Sequence, residues 1–142
     1  MYNWLLLLYK VPTEPTARRV YVWRKLKRLG AVLLHDAAWV LPATARTREH
    51  FQWLAAEINE MGGTAVLLES RFALADPEEE LVQRFRSQAE SAYSEILAEL
   101  EKEDPDLPAL ARRYQQVLSQ DYFQSELGAR VRRALAAKGG IE

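Results

Sequence analysis

The chain has 142 residues, of which 49% are hydrophobic, and this composition argues for a folded domain and against disorder. It contains no cysteine, which excludes disulfides, thiolate metal sites and cysteine nucleophiles. The longest apolar run, residues 4–9, is too short to span a bilayer and has none of the flanking features of a signal peptide. We therefore expect a cytoplasmic protein without a membrane partner.

Charge is distributed unevenly along the chain although the net charge is only −1. Residues 1–75 carry ten Lys or Arg against six Asp or Glu, whereas residues 76–142 carry nine against fourteen. A change of sign between two parts of a chain indicates different roles or surroundings. We predict one domain over residues 1–75 and a helical extension over residues 76–142 that packs on it.

The N-terminal part alternates between strand and helix patterns. An apolar strand is predicted over residues 3–11, and a Pro-rich turn then leads into a helix over residues 16–29, with a Thr or Glu of the turn available as its cap. Two short strands, residues 31–34 and 37–41, meet in a tight hairpin at His35 and Asp36. A helix over residues 44–61 and a strand over residues 64–69 follow.

The resulting order is βαββαβ, which predicts an α+β fold with a ferredoxin-like antiparallel sheet. Strands one and three would be central, with both helices on one face. The strands are apolar on both faces, so the open face needs a cover. The C-terminal part can supply it with about three helices, predicted over residues 76–103, 108–118 and 125–138, or a second copy of the chain can.

The first helix combines a core stripe with a basic face. At about 100° per residue, the predicted core side holds Val22, Trp23, Leu26 and Leu29. The opposite arc carries Arg24, Lys27 and Arg28 beside Val20 and Tyr21. We assign all four tryptophans to packing between the sheet and the helices, namely Trp4, Trp23, Trp39 and Trp53.

Catalytic patterns are weak throughout the chain. Glutamates at helical spacing, such as Glu95 and Glu99, are typical of a solvated helix face, and His35 beside Asp36 is typical of a surface turn. No phosphate loop, nucleophile elbow or metal-ligand spacing is present. The interpretation is a non-enzymatic protein with no catalytic residue, no metal and no cofactor.

The basic helix is the candidate functional site. Cations on one helical face neutralise phosphates and gain from counterion release, without reading the sequence of the nucleic acid. No acidic residue occurs between Arg18 and Arg28, so the helix has no local charge partner of its own. The alternative is a solvated helix that makes only ion pairs. The predicted nucleic-acid-binding residues are Arg18, Arg19, Arg24, Lys27 and Arg28.

Three strings in this region resemble the N-terminal domain of the chromate-resistance regulator family, ChrB. They are W-x-L-L-x-x-x-x-P-T-E-P from Trp4, R-R-V-x-V-W-R-x-L-K-R-L-G-A from Arg18, and A-x-W-x-L-P from Ala37. A late Asp121-Tyr122-Phe123 extends the resemblance over nearly the whole chain. The resemblance implies regulation of a chromate-efflux operon through DNA. Full-length members carry a further domain, so chromate sensing is not carried over to this chain.

More distantly, the chain resembles the middle domain of the phenylacetate-degradation repressors (PaaX) and the CRISPR spacer-acquisition endonucleases. In those endonucleases an Asp ends strand one and binds metal, whereas Lys10 occupies the matching position here, between Tyr9 and Val11. A cation cannot ligate a divalent metal, so nuclease activity is not expected.

The prediction is therefore a transcription-regulatory module that forms a homodimer and binds DNA weakly, without marked sequence specificity. The alternative is a structural or dimerisation module that binds no nucleic acid. Genomic neighbourhood, gel shifts and light scattering separate the two.

Overall fold

In the computed structural model, which describes residues 1–142, strands and helices alternate in the N-terminal part as predicted. The elements are β1 (Trp4–Lys10), α1 (Thr16–Arg28), β2 (Val32–Leu34), β3 (Ala38–Pro42), α2 (Ala45–Glu60) and β4 (Thr64–Ser70). Three further helices follow, α3 (Ala75–Leu100), α4 (Leu107–Gln120) and α5 (Glu126–Ala137). The chain forms two compact units, Met1–Glu78 and Glu79–Glu142. None of the five helices is both long and apolar enough to cross a membrane.

The four strands form one antiparallel sheet in the order β2-β3-β1-β4. The two central strands are β1 and β3, which confirms the predicted ferredoxin-like arrangement. In the register of the sheet, Leu7 lies opposite Trp39 on β3 and Leu67 on β4. Because side chains alternate along a strand, Leu5, Leu7 and Tyr9 share one face with Trp39.

The core of the first unit lies between this face and the two helices. Leu5 and Leu7 are at most 1% exposed, and α2 adds the buried Phe51, Leu54 and Ile58. On the other face, Trp4 is fully buried and its indole N–H donates to Glu78 at 2.8 Å, which lowers the pKa of that carboxyl. Burial on this face does not extend to its edge.

The outer part of the second face stays exposed. Leu8 on β1 is 37% exposed, and Val66 and Leu68 on the edge strand β4 are 54% and 48% exposed. Leu8 lies opposite Val66 in the register, so these side chains form one apolar patch, which we call the β4 patch. Within one chain the β4 side of this face is open, and its predicted cover by a second copy of the chain stays a prediction.

Two turns fix the ends of the strands. His35 and Asp36 have φ values of 50° and 55°, and the N–H of Ala37 donates to the Leu34 carbonyl at 3.0 Å, which makes the predicted tight turn. Leu34 pairs with Ala38, so the loop of the hairpin holds three residues, His35 to Ala37. Gly63, after α2, comes so close to the end of β1 that a Cβ there would lie 2.2 Å from the Lys10 carbonyl oxygen. Only glycine allows this approach without a shift of the backbone.

Side chains cap α2, α4 and α5, whereas the cap predicted for α1 from a Thr or Glu of the preceding turn is not formed. Thr44 and Thr47 form a capping box at α2, while Asp106 and Ser125 cap α4 and α5. At α1 the cap position is taken by Pro15, so no side chain accepts a hydrogen bond from the first turn, and no acidic residue lies in that turn. The first turn of α1 therefore carries no negative charge that would compensate the positive end of the helix dipole.

The second unit has its own core. Apolar side chains of α3, α4 and α5 pack around the fully buried Tyr93. Burial and a 2.9 Å hydrogen bond from its hydroxyl to Asp121 raise the pKa of Tyr93. Gly128 lies against the ring, where a Cβ would be 3.0 Å from the hydroxyl oxygen. The predicted packing of this helical part, residues 76–142, on the sheet domain stays a prediction.

Candidate nucleic-acid interface

Helix α1 is held to the sheet by a narrow stripe of side chains. Val22 and Leu26 are fully buried, Leu29 is partly buried, and every residue from Thr16 to Tyr21 is exposed. The five predicted binding residues all lie on this helix and are all exposed. The structure therefore leaves most of the surface of α1 open, and the open part is basic.

Trp23 does not belong to the core stripe, contrary to the prediction. It is 51% exposed, and Trp53 on α2 is 61% exposed, whereas Trp4 and Trp39 are buried. At about 100° per residue, Trp23 lies roughly 80° from the midpoint between Val22 and Leu26, beyond the width of the buried stripe. The sequence pattern places Trp23 on the core side of the helix only because tryptophan is apolar.

Cations lie over the two exposed aromatic rings of α1. The ammonium of Lys27 is 5.8 Å from the centre of the Trp23 ring, and that of Lys25 is 5.7 Å from the centre of the Tyr21 ring. Both distances are in the range of cation–π attraction. The basic face is thus a mixed surface in which aromatic rings and positive charges alternate.

Arg18 is directed towards α2. Its guanidinium donates to the Met61 carbonyl at 2.9 Å, at the C-terminal end of that helix. A cation is stabilising there because the last carbonyls of a helix carry partial negative charge. Arg18 therefore has a structural contact that the sequence did not predict, and it contributes less to an outward binding surface than the other four residues.

An acidic residue also reaches α1 from α2. The Tyr21 hydroxyl donates to the Glu57 carboxylate, and this hydrogen bond raises the pKa of Tyr21. Sequence inspection found no acid within the helix, and only the antiparallel placement of α1 and α2 brings Glu57 to its flank. Beside Tyr21, the residues Val20, Arg24 and Arg28 line a shallow depression that opens outward.

A larger groove lies between the N-terminal half of α1 and the β2–β3 hairpin, and we call it the α1 groove. Its volume is about 680 Å³. The residues that define its chemistry are Tyr9, Lys10, Arg19, Trp23, Asp36 and Trp39. Burial raises the pKa of the Tyr9 phenol, against the opposing effects of a hydrogen bond from Trp39 and the positive charge of Arg19.

The structure thus sorts the predicted residues into different places. Arg19 lies in the α1 groove, Arg24 and Arg28 line the outer depression, and Lys27 covers Trp23. Sequence analysis did not assign Tyr9, Lys10 or Trp23 to a binding surface. One signal in the sequence could have identified Trp23 as a surface residue: arginines and lysines both precede and follow it along the chain.

The residues weighed for catalysis lie in ordinary surface positions. His35 and Asp36 are exposed at the tip of the hairpin. Glu99 forms a salt bridge with Lys102 at 2.7 Å, and Glu95 approaches Arg113 at 3.8 Å, both on the exposed surface of the second unit. Neither arrangement brings a base next to a nucleophile.

Fluorescence quenching tests the exposure of the tryptophans. We expect acrylamide to quench two of the four tryptophans readily, because Trp23 and Trp53 are exposed and the other two are buried. Trp23→Phe should remove a readily quenched component, and Trp53→Phe should remove another. Trp39→Phe is the control and should leave the readily quenched signal intact. Loss of only the protected component in Trp23→Phe would place that side chain in the core.

Comparison with known proteins places the chain in a family. The model of the family described as "Protein ChrB, N-terminal" matches residues 19–99, which is more than half of the chain. The protein ChrB of Cupriavidus metallidurans is 30% identical over 139 residues, covering 89% of this chain and 42% of that relative. The chain therefore spans less than half the length of that relative. The predicted resemblance is confirmed, and the chain belongs to the ChrB N-terminal family.

Proposed function

We propose that this chain is a non-enzymatic regulatory module of a chromate-resistance system and that it contacts DNA through α1. The observation that carries the proposal is the open basic face of this helix. Arg24 and Lys27 are exposed and form no salt bridge with a carboxylate. Cations in this state attract phosphates, and binding releases the counterions that surround DNA.

The nature of the surface suggests which kind of contact it makes. Phosphate contacts position a protein on DNA, whereas specificity depends on side chains that reach base edges. The outer face of α1 offers long cationic side chains such as Arg24 and Arg28, which neutralise phosphates, and no Asn or Gln that would pair with adenine lies on this helix. We therefore propose weak binding with little sequence preference.

Family membership supports the regulatory role. The resemblance of the N-terminal strings to the chromate-resistance regulators is carried by Trp4, by the arginine-rich helix and by the Ala37–Pro42 segment. Sensing of chromate is left out of the proposal, because the chain covers 42% of its full-length relative. A cytoplasmic location and a homodimeric state are part of the proposal.

Enzymatic activity is not part of the proposal. At the end of β1, where the resembling endonucleases have a metal-binding Asp, this chain has the exposed Lys10. An ammonium group repels a divalent cation and offers it no ligand atom. Lys10 instead adds a positive charge beside Arg19 in the α1 groove.

A gel-shift or anisotropy titration with duplex DNA tests the role of α1. The triple variant Arg24→Ala, Lys27→Ala, Arg28→Ala should bind much more weakly than the native chain at low salt. The slope of log K against log salt should become shallower by about 0.9 for each phosphate contact that is lost.

The matched control is a triple variant with the same change of charge at exposed positions outside α1, namely Arg46→Ala, Arg112→Ala and Arg130→Ala. It should keep most of the affinity and of the slope. Absence of any duplex binding at low salt, or equal losses in the two triple variants, would contradict the proposal.

A second function, dimerisation without nucleic-acid binding, is favoured by the β4 patch. β4 is an edge strand, and an exposed apolar edge is a ready site for pairing with another chain. Strand pairing about a twofold axis through Leu67 would place Val66 of one copy opposite Leu68 of the other and join their apolar patches. We therefore assign the patch to a second copy of the chain.

Light scattering tests the dimer. We expect the native chain to have twice the mass of one chain, and Val66→Lys with Leu68→Lys to give a monomer with an unchanged circular dichroism spectrum. Leu74→Lys, at a residue that is 69% exposed outside the sheet, is the control and should stay dimeric. A native monomer at high concentration would exclude the dimer. A dimer without DNA affinity would favour the second function over the first.

A further inference from the structure

The α1 groove has a chemistry that phosphate contacts with a duplex do not use. Its volume of about 680 Å³ is in the usual range of ligand pockets. Aromatic rings of Tyr9, Trp23 and Trp39 line it, and the charged Lys10 and Arg19 lie among them. A cleft of this kind fits a ligand with a flat ring and a negative charge.

Exposure of Trp23 is the first argument for such a ligand. A half-exposed indole leaves a large apolar surface in water, which costs free energy that a core position would recover. A smaller or polar residue at position 23 would avoid this cost. The Trp23 ring already lies under the ammonium of Lys27, so a ring that stacks on it would have a cation close by.

Charge is the second argument. Two cations, Lys10 and Arg19, face one acid, Asp36, in the groove, so its net charge is positive. Thr16 lies there too, at the N-terminus of α1, which has no side-chain cap and no acid in its first turn. Backbone N–H groups at such an end add to the attraction of an anion.

The α1 groove is continuous with the basic face of α1, and this continuity favours a polymer over a small molecule as the ligand. Val20 lines both the α1 groove and the outer depression that contains Arg24 and Arg28. A strand with phosphates on both sides of one base would meet positive charge beyond the groove as well as within it. A free aromatic acid would use the groove alone.

We propose that the α1 groove binds an unpaired nucleotide of a DNA strand, with the base against Trp23 and the phosphate beside Lys10 and Arg19. Bases in an intact duplex are stacked inside and cannot enter the groove, whereas bases of a single strand are free to stack on aromatic side chains. This inference rests on the proposed contact between α1 and DNA and adds a preference for unpaired DNA.

The test compares a labelled single strand of about 15 nucleotides with the same strand annealed to its complement. Anisotropy titrations of the native chain at low salt should show binding to the single strand that is at least as tight as to the duplex. Trp23→Ala should weaken single-strand binding roughly fivefold or more, because one base loses its stacking partner. Its duplex affinity should change by less than about twofold, since phosphate contacts dominate there.

Trp53→Ala is the matched control, because it removes another exposed tryptophan, which lies on α2. It should change neither affinity. Trp23→Phe keeps an aromatic ring and should retain most of the single-strand affinity, which separates stacking from a loss of folding. The native chain and Trp53→Phe should show quenching of tryptophan fluorescence by the single strand. Trp23→Phe should lose most of that response, because Trp39, the other tryptophan of the groove, is buried.

The outcomes separate this inference from the proposed function. Duplex binding that depends on Arg24, Lys27 and Arg28, combined with equal effects of Trp23→Ala and Trp53→Ala on the single strand, overturns the inference alone. Failure of both DNA forms to bind overturns both. Binding of a free mononucleotide as tightly as of the single strand would show a small-molecule site and would also overturn the inference.

Discussion

The functional surface of this protein depends on one constraint: only a narrow stripe of α1 packs on the sheet. Two fully buried side chains, Val22 and Leu26, with the partly buried Leu29, provide the apolar contact, and Arg18 ties the helix to the end of α2. A stripe this narrow leaves the rest of the helix free to carry charge. The exposed cations of this helix lie outside the buried stripe, so packing in the core does not determine their positions.

The same narrow contact creates the α1 groove. Tyr9 and Trp39 lie on the helix-facing side of the sheet, where Trp39 is buried and Tyr9 is only partly buried. A broader helix contact would have filled the space with side chains and buried Trp23. Fold and groove are thus consequences of the same packing.

The sequence predicted the order of elements well because each has a local cause. The βαββαβ order follows from apolar runs separated by Pro and Gly, and the hairpin at His35 and Asp36 follows from two residues that tolerate positive φ. It could not predict contacts between elements distant in the chain. Glu57 beside Tyr21 and the bond from Arg18 to Met61 arise only when α1 and α2 lie side by side.

Trp23 shows the limit of periodicity as a guide to function. An apolar residue at the edge of a helical arc is equally consistent with the core and with an exposed surface, and only packing decides between them. Because Trp23 is exposed, the basic helix presents a mixed aromatic and cationic surface and not only a row of charges.

The most direct test of this account is a map of amide chemical shifts in the isotope-labelled native chain during titration with DNA. We expect the shifts to concentrate at Tyr9, at Lys10 and along residues 16–28, with residues 79–142 largely unaffected. Shifts confined to residues 79–142 or to β4, with α1 unchanged, would contradict it.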